Sequence, residues 1–247
     1  MAPVPEGYWR ATRAPRYSVL FAVPLLALYE ALAFLLSGGA LAGVRNGADV
    51  LLKSVFVASG GRDGLIAFGV LLVGVAAVLV WRDLRGKDNV RAGYFVGMTV
   101  EACVYALAFG LVASQLTSLL LQGLPLLAVG PVQRLDLPTQ LMISLGAGLY
   151  EELLFRVLLV SGLAMLARRV FGVGAAAGGV FAVLVGAFVF SAFHYIGPFG
   201  DPLELGSFTF RAVAGVMFSG LYLARGFGIT AWTHALYDAF LALAGLA

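Results

Sequence analysis

Long apolar runs, separated by short polar stretches, dominate the pattern of this chain. A helix needs about 20 apolar residues to cross a bilayer. Segments of that kind lie at 17–36, 64–82, 93–121, 138–167, 174–196, 207–225 and 229–247. The pattern predicts an all-α polytopic membrane protein of seven transmembrane helices, or eight if one further segment enters the membrane.

Three other segments carry patterns of their own. The first apolar run contains Glu30 and is longer than the apolar region of a secretory signal, so we expect a retained span, with a cleaved signal as the alternative. Apolar residues at 50–52 and 55–57 interleave with Asp49 and Lys53, which predicts a short interfacial helix. The stretch GLPLLAVGPVQRLDLP (123–138) is punctuated by Gly and Pro, which predicts a loop against the membrane surface.

Composition supports the membrane reading and leaves little room for a soluble domain. Of 247 residues, 61% are hydrophobic and only 12% are charged, whereas a soluble domain is about 25% charged. We therefore expect one membrane domain over 1–247. The net charge of +3 gives no indication of nucleic-acid binding, and the single cysteine, Cys103, excludes an internal disulfide.

Basic residues in the connecting segments predict the orientation of the chain. With seven spans, the side that holds the N-terminus carries ten Lys and Arg residues and the other side carries five. Because cytoplasmic loops are enriched in Lys and Arg, the N-terminus is predicted to be cytoplasmic. The dominance of Ala, Gly, Val and Leu favours a bacterial source, and hence a bacterial inner membrane.

Three charged residues interrupt the apolar stretch GLYEELLFRVLLV (148–160). On a helix Glu152 and Arg156 are four residues apart on one face, so they can pair. Glu151 points about 100° away and cannot share that arginine in the same geometry. A structural ion pair would explain Glu152 and Arg156, but it leaves Glu151 available for chemistry.

The only two histidines of the chain also lie in apolar helices. His194 follows Phe190 by one turn, and His234 precedes Asp238 by one turn. Either histidine alone is more often a residue that hydrogen-bonds two helices. Together with Glu151 they suggest water activation, in which a buried glutamate is the general base and a histidine orients the water. Two His and two carboxylates also suffice for Zn²⁺, so metal dependence stays open.

Three motifs in this order resemble one family. EELLFR (151–156), FSAFH (190–194) and HALYD (234–238) resemble the CPBP family of CAAX-protease and bacteriocin-processing intramembrane proteases, also called the ABI or Rce1-like group. The resemblance covers 138–247, while 1–130 is recognisable only as membrane spans of unclear role.

The resemblance implies an endopeptidase that cleaves a peptide bond at or within the membrane. Glu151 matches the glutamate that activates water, and His194 matches its assistant. His234 and Asp238 match the motif that stabilises the oxyanion or completes the site. Glu152, Arg156 and Phe190 match supporting positions. The family has been described both as glutamate proteases and as metalloproteases. A metal, if present, would be Zn²⁺ held by Glu151, His194 and His234.

Two rival functions follow from the same residues. Buried acids and histidines can form the path of a proton-coupled transporter, and a catalytically silent scaffold can retain the pattern. The expected partners of a protease are the bilayer and a peptide with a membrane-proximal cleavage site, such as a lipidated protein or a C-terminal tail.

Seven straight spans would place the candidate residues at different depths. His194 would fall near the outer end of its helix and His234 near the inner end of another. A shared site requires a different boundary, such as a turn inside the protein at RGFGI (225–229), whose glycines permit it. For Glu30 and Glu101 we expect hydrogen bonding between helices.

Overall fold

The computed structural model describes residues 7–37, 44–85, 90–122, 135–197 and 200–246, and these are helical with no strand. The helices are α1 (Tyr8–Ala11), α2 (Pro15–Ser37), α3 (Gly47–Leu84), α4 (Ala92–Leu120), α5 (Leu137–Gly146), a π-helix (Ala147–Val160), α6 (Ser161–Arg169), α7 (Ala175–Phe193), α8 (Leu205–Arg225) and α9 (Phe227–Leu243). The predicted all-α class is confirmed for this part of the chain.

The predicted count of seven or eight spans is not confirmed. Within the described ranges, five helices are long and apolar enough to cross a membrane: Pro15–Leu36, Gly47–Leu84, Ala92–Leu120, Ala175–Phe193 and Leu205–Arg225. The predicted span at 138–167 lies in a helical body that the π-helix divides into three elements. The predicted span at 229–247 corresponds to α9, which has 17 residues.

Helix α3 consists of two limbs that meet at Gly61. This residue has φ 56° and ψ −128°, a conformation that glycine adopts without steric cost. A Cβ at Gly64 would lie 1.9 Å from the carbonyl oxygen of Phe56, so the chain bends sharply here. The first limb contains the short helix predicted around 50–57. Most of the loop predicted at 123–138 lies outside the described residues.

Helix α9 lies at the centre of the bundle. It packs against α2, α4, α5, α8 and the π-helix. Small residues permit the π-helix and α9 to cross at close range. A Cβ at Gly148 would lie 2.3 Å from the carbonyl oxygen of Ala231. The backbone of the π-helix thus approaches α9 directly, which brings the side chains that follow Gly148 close to those of α9.

The turn between α8 and α9 is inside the protein, as the depth of the candidate residues required. Gly226 has φ 80°, and the N–H of Gly228 donates to Ser18 Oγ at 2.7 Å. A Cβ at Gly228 would lie 2.3 Å from the carbonyl oxygen of Ser18, so only glycine fits. Arg225 and Ile229 on either side are buried.

Candidate active site

Both adjacent glutamates of the EELLFR motif are on the π-helix and point into the protein. Glu151 is 7% exposed and Glu152 is 0% exposed. The π-type hydrogen bonding continues to the end of the segment, where the N–H of Ser161 donates to the carbonyl of Arg156. π-helical segments are rare and frequently occur at functional sites.

The two carboxylate oxygens of Glu151 have different surroundings. Oε1 accepts a hydrogen bond from Asn46 Nδ2 at 2.8 Å. Oε2 lies 3.9 Å from His194 Nε2 and has no hydrogen-bond partner among the described residues. A buried carboxylate oxygen without a hydrogen bond is costly, so Oε2 is the atom of Glu151 that is available to a further donor.

His194 caps the C-terminus of α7 and presents one ring nitrogen to Glu151. Its Nδ1 lies 2.9 Å from the carbonyl oxygen of Phe190. A carbonyl can only accept, so this contact assigns the proton to Nδ1 and leaves the lone pair of a neutral ring on Nε2. The Phe190 ring also packs edge-on against the imidazole, with centroids 4.9 Å apart. Together these contacts hold the ring with Nε2 facing Glu151.

His234 lies between two other carboxylates. Its Nδ1 is 2.7 Å from Glu152 Oε1, and its Nε2 is 3.4 Å from Asp238 Oδ2. The imidazole is stacked on Phe218, with centroids 4.3 Å apart. Glu152 therefore orients His234 from the π-helix, and Asp238 faces the ring from one turn later on α9.

Glu152 also forms the predicted ion pair with Arg156. The Oε1 to Nη1 distance is 3.1 Å and both side chains are buried, but the contact lacks hydrogen-bond geometry. The guanidinium lies 4.3 Å from the Phe190 ring centroid and 5.3 Å from that of Phe218. Cation–π contacts thus add to the pairing of a buried arginine.

The structure brings the predicted residues together as two linked groups. One is Glu151 with His194, and the other is Glu152 with His234, Asp238 and Arg156. The expected direct meeting of Glu151 with both histidines is not observed, because both His234 nitrogens face Glu152 and Asp238. The two glutamates also differ from the expected roles. Glu152 contacts His234 as well as Arg156, whereas only its pair with Arg156 was expected.

Asn46 is the site residue that the sequence did not predict. Its place before a helix, followed by Gly and Asp, is a typical N-cap signal. That signal predicts the cap but not a contact with Glu151, which is 105 residues later.

The three residues predicted as metal ligands, Glu151, His194 and His234, do not converge on one point. The described residues contain no group of three or more His, Cys, Asp or Glu side chains that could hold a metal ion. His234, one of the three predicted ligands, has its nitrogens directed at Glu152 and Asp238 rather than at a point shared with Glu151 and His194. This arrangement of side chains does not provide the ligand geometry that Zn²⁺ requires.

Glu30 and Glu101 bond between helices, as expected. Glu30 accepts from Lys53 Nζ and Tyr150 Oη, each at 2.8 Å. Glu101 accepts from Arg225 Nη2 and Tyr8 Oη, also each at 2.8 Å. Neither carboxylate is part of the two groups around the histidines.

The fold and the site together define an integral membrane protein with a buried glutamate–histidine centre. Residues 133–240 match the family model described as Type II CAAX prenyl endopeptidase Rce1-like. The match confirms the resemblance to the CPBP intramembrane proteases and indicates a CAAX-type peptidase. Comparison with curated proteins and with solved structures gives no match.

Proposed function

We propose that this protein is an intramembrane endopeptidase in which Glu151 activates a water molecule with the help of His194. The observation that carries the proposal is the unpartnered Oε2 of Glu151, 3.9 Å from His194 Nε2. A water at a hydrogen-bond distance of about 2.8 Å from each atom would sit beside this gap. The substrate class is a membrane-associated peptide, such as a lipidated protein or a C-terminal tail.

In the proposed reaction Glu151 takes a proton from the water while His194 Nε2 orients it. The resulting hydroxide attacks the scissile carbonyl carbon, and the carbonyl oxygen becomes an oxyanion. When the C–N bond breaks, the proton held by Glu151 passes to the leaving amine. The hydroxyl remains on the new carboxyl group, so water is added across the peptide bond.

The second group of residues has a supporting part in this proposal. Because the contact of His234 Nε2 with Asp238 is long, at 3.4 Å, the Nε2–H can be shared between Asp238 and an oxyanion, while Glu152 holds Nδ1. Arg156 compensates the charge of Glu152. The side chains of His194 and Asp238 are 24% and 31% exposed, so substrate can reach the site from their side.

The proposal also covers the organisation of the chain. The catalytic core is 138–247, and 1–130 supplies additional membrane helices. With the seven spans expected from the sequence, the excess of Lys and Arg on the side that holds the N-terminus favours a cytoplasmic N-terminus, and the dominance of Ala, Gly, Val and Leu favours a bacterial inner membrane.

The experiment compares membranes of producing cells that carry either the wild-type protein or Glu151→Ala. Quantitative peptide mapping is expected to show a membrane peptide whose cleavage stops in the variant. Purified protein is then assayed on that peptide and on a farnesylated, internally quenched CAAX-type peptide. Normal cleavage by folded Glu151→Ala would overturn the proposal. Proton-coupled flux in liposomes without proteolysis would identify a transporter instead.

A further inference from the structure

We infer that Asn46 is a positioning residue for the proposed reaction. Its amide group holds Glu151 so that the second carboxylate oxygen faces His194. The inference rests on the proposed function. It also assigns a role in the site to the N-terminal half of the chain, since Asn46 lies outside the matched residues 133–240.

The orientation of the Asn46 amide follows from its place at the start of α3. Asn46 is the N-cap, and its Oδ1 accepts from the backbone N–H of Ala48 at 2.9 Å and of Asp49 at 3.4 Å. An amide oxygen used in this way leaves the NH₂ group on the other side of the plane. That group donates to Glu151 Oε1 at 2.8 Å. The helix N-terminus therefore determines which end of the amide meets the glutamate.

Asn46 and Glu151 are brought together by very close packing. A Cβ at Gly146 would lie 2.8 Å from Asn46 Cβ and 2.5 Å from the ring of Tyr29. Any side chain at 146 would push the start of α3 away from the helical body that carries Glu151. Asn46 itself is only 3% exposed, so water does not replace its contact.

A second set of contacts ties the same end of α3 to the π-helix. Asp49, three residues after Asn46, accepts from Tyr29 Oη at 2.7 Å and pairs with Lys53 Nζ at 2.7 Å. Lys53 also binds Glu30, which accepts from Tyr150 Oη at 2.8 Å. Tyr150 immediately precedes Glu151. The start of α3 and the π-helix are therefore joined both by the Asn46–Glu151 hydrogen bond and by the contacts that run from Asp49 to Tyr150.

The consequence for the reaction is a glutamate with one free oxygen. Hydrogen bonds to a charged acceptor are the stronger ones, so Oε1 is held and Oε2 alone is available to a water beside His194. Without the amide, the carboxylate can rotate away from His194. A misplacement of about 1 Å can cost about 10²-fold in rate.

The experiment uses two substitutions that separate this role from helix capping. Asn46→Ser and Asn46→Asp both keep an oxygen that caps α3, but neither keeps the NH₂ group. With the peptide found in the membrane comparison, kcat is expected to fall about 10²-fold for Asn46→Ser while KM changes less than about twofold. The loss is expected to be larger for Asn46→Asp, because a second carboxylate would face Glu151.

Tyr8→Phe is the matched control. It also removes a neutral donor from a glutamate, since Tyr8 Oη donates to Glu101 Oε2 at 2.8 Å, but that glutamate has no part in the proposed reaction. Thermal unfolding is measured for every variant, and kcat is expressed per folded molecule. We expect Tyr8→Phe to retain the wild-type kcat.

The outcomes separate this inference from the proposed function. Wild-type kcat in both Asn46 variants, with no cleavage by Glu151→Ala, would overturn the positioning role and leave the proposed function in place. A fall in kcat that Tyr8→Phe shares would also overturn it. Wild-type turnover in Glu151→Ala would overturn the proposed function, and the positioning role with it.

Discussion

The partly buried Glu101 and the buried Glu151 differ in how their carboxylate oxygens are satisfied. Both oxygens of Glu101 are occupied, since Arg225 binds both and Tyr8 donates to one of them. Arg225 in turn donates to Thr12 Oγ1 and to the carbonyl of Trp9. Glu151 has one oxygen held by a neutral amide, and the other faces His194 without a hydrogen bond from any described residue.

The hydrogen bonding of a carboxylate distinguishes a glutamate that stabilises helix packing from one that is a candidate catalytic residue. A carboxylate that is fully paired and hydrogen-bonded stabilises the packing of helices. A buried carboxylate oxygen without a hydrogen-bond partner is costly. Among the described residues Glu151 and Glu152 each have one, but Glu152 forms an ion pair with Arg156, whereas Oε2 of Glu151 faces His194 Nε2.

Glu151→Gln is expected to lower kcat about 10³-fold or more, because the amide cannot take a proton from water; general-base contributions are about 10²–10⁴-fold. Glu101→Gln should destabilise the protein without lowering kcat per folded molecule. Initial rates of peptide cleavage, normalised to the folded fraction from thermal unfolding, check both. Equal losses of kcat in the two variants would remove the contrast.

Arg225→Met is expected to lower the free energy of unfolding by about 3 kcal/mol, because it leaves the partly buried Glu101 without its charged partner. The kcat of the remaining folded protein should be unchanged. Arg10→Met, at an exposed position on α1, is the control and should change stability by less than about 0.5 kcal/mol. Reversible denaturation in detergent micelles measures both, and equal stabilities would contradict the prediction.

His194→Ala is expected to lower kcat about 10²-fold, since Glu151 stays in place but the water loses its second partner. The neighbouring Tyr195, whose Oη lies 2.7 Å from Ser207 Oγ, provides the control. Tyr195→Phe should retain the wild-type kcat. If the two variants behaved alike in the peptide assay, His194 would have no special part in orienting water.

Asp238→Asn is expected to lower kcat/KM by less than about tenfold. The contact with His234 is long, at 3.4 Å, and Glu152 holds the other nitrogen of the ring at 2.7 Å, so His234 keeps its stronger contact. The amide oxygen of Asn can still accept from Nε2. Asp238→Leu, which removes the acceptor, should cost more. A loss in Asp238→Asn as large as that in Glu151→Gln would contradict this ranking.

Several features of the site were predictable from local sequence. The spacing of Glu152 and Arg156 predicted their pair, and the pair is present. The glycines around 226 allowed a turn inside the protein, and the turn at Gly226 lies between the buried residues Arg225 and Gly228. The resemblance over 138–247 corresponds to the matched residues 133–240. These features depend on the helical period, on backbone freedom and on short motifs, all of which can be seen in neighbouring residues.

Other features depended on how distant helices meet. The count of seven or eight spans was not confirmed, because apolar length alone does not reveal a π-helix or a kink. Helical spacing predicts that Glu151 and Glu152 lie on different faces of a helix. It does not predict which histidine each glutamate contacts. Asn46 could be predicted as a cap, but its contact with Glu151 joins two elements that are far apart in the chain.

The membrane class, the three motifs and the charges that had to be compensated can all be recognised in the amino-acid sequence. Hydrophobicity and helical periodicity are properties of single segments. They can be recognised without knowing which other helix a segment packs against. The tertiary arrangement was needed to show that Asn46 holds Glu151, that Glu152 holds His234 and that Oε2 of Glu151 faces His194 without a hydrogen-bond partner in the described part of the chain. Those outcomes depend on close backbone approaches, such as those at Gly146 and Gly148, whose partners lie in distant segments of the chain.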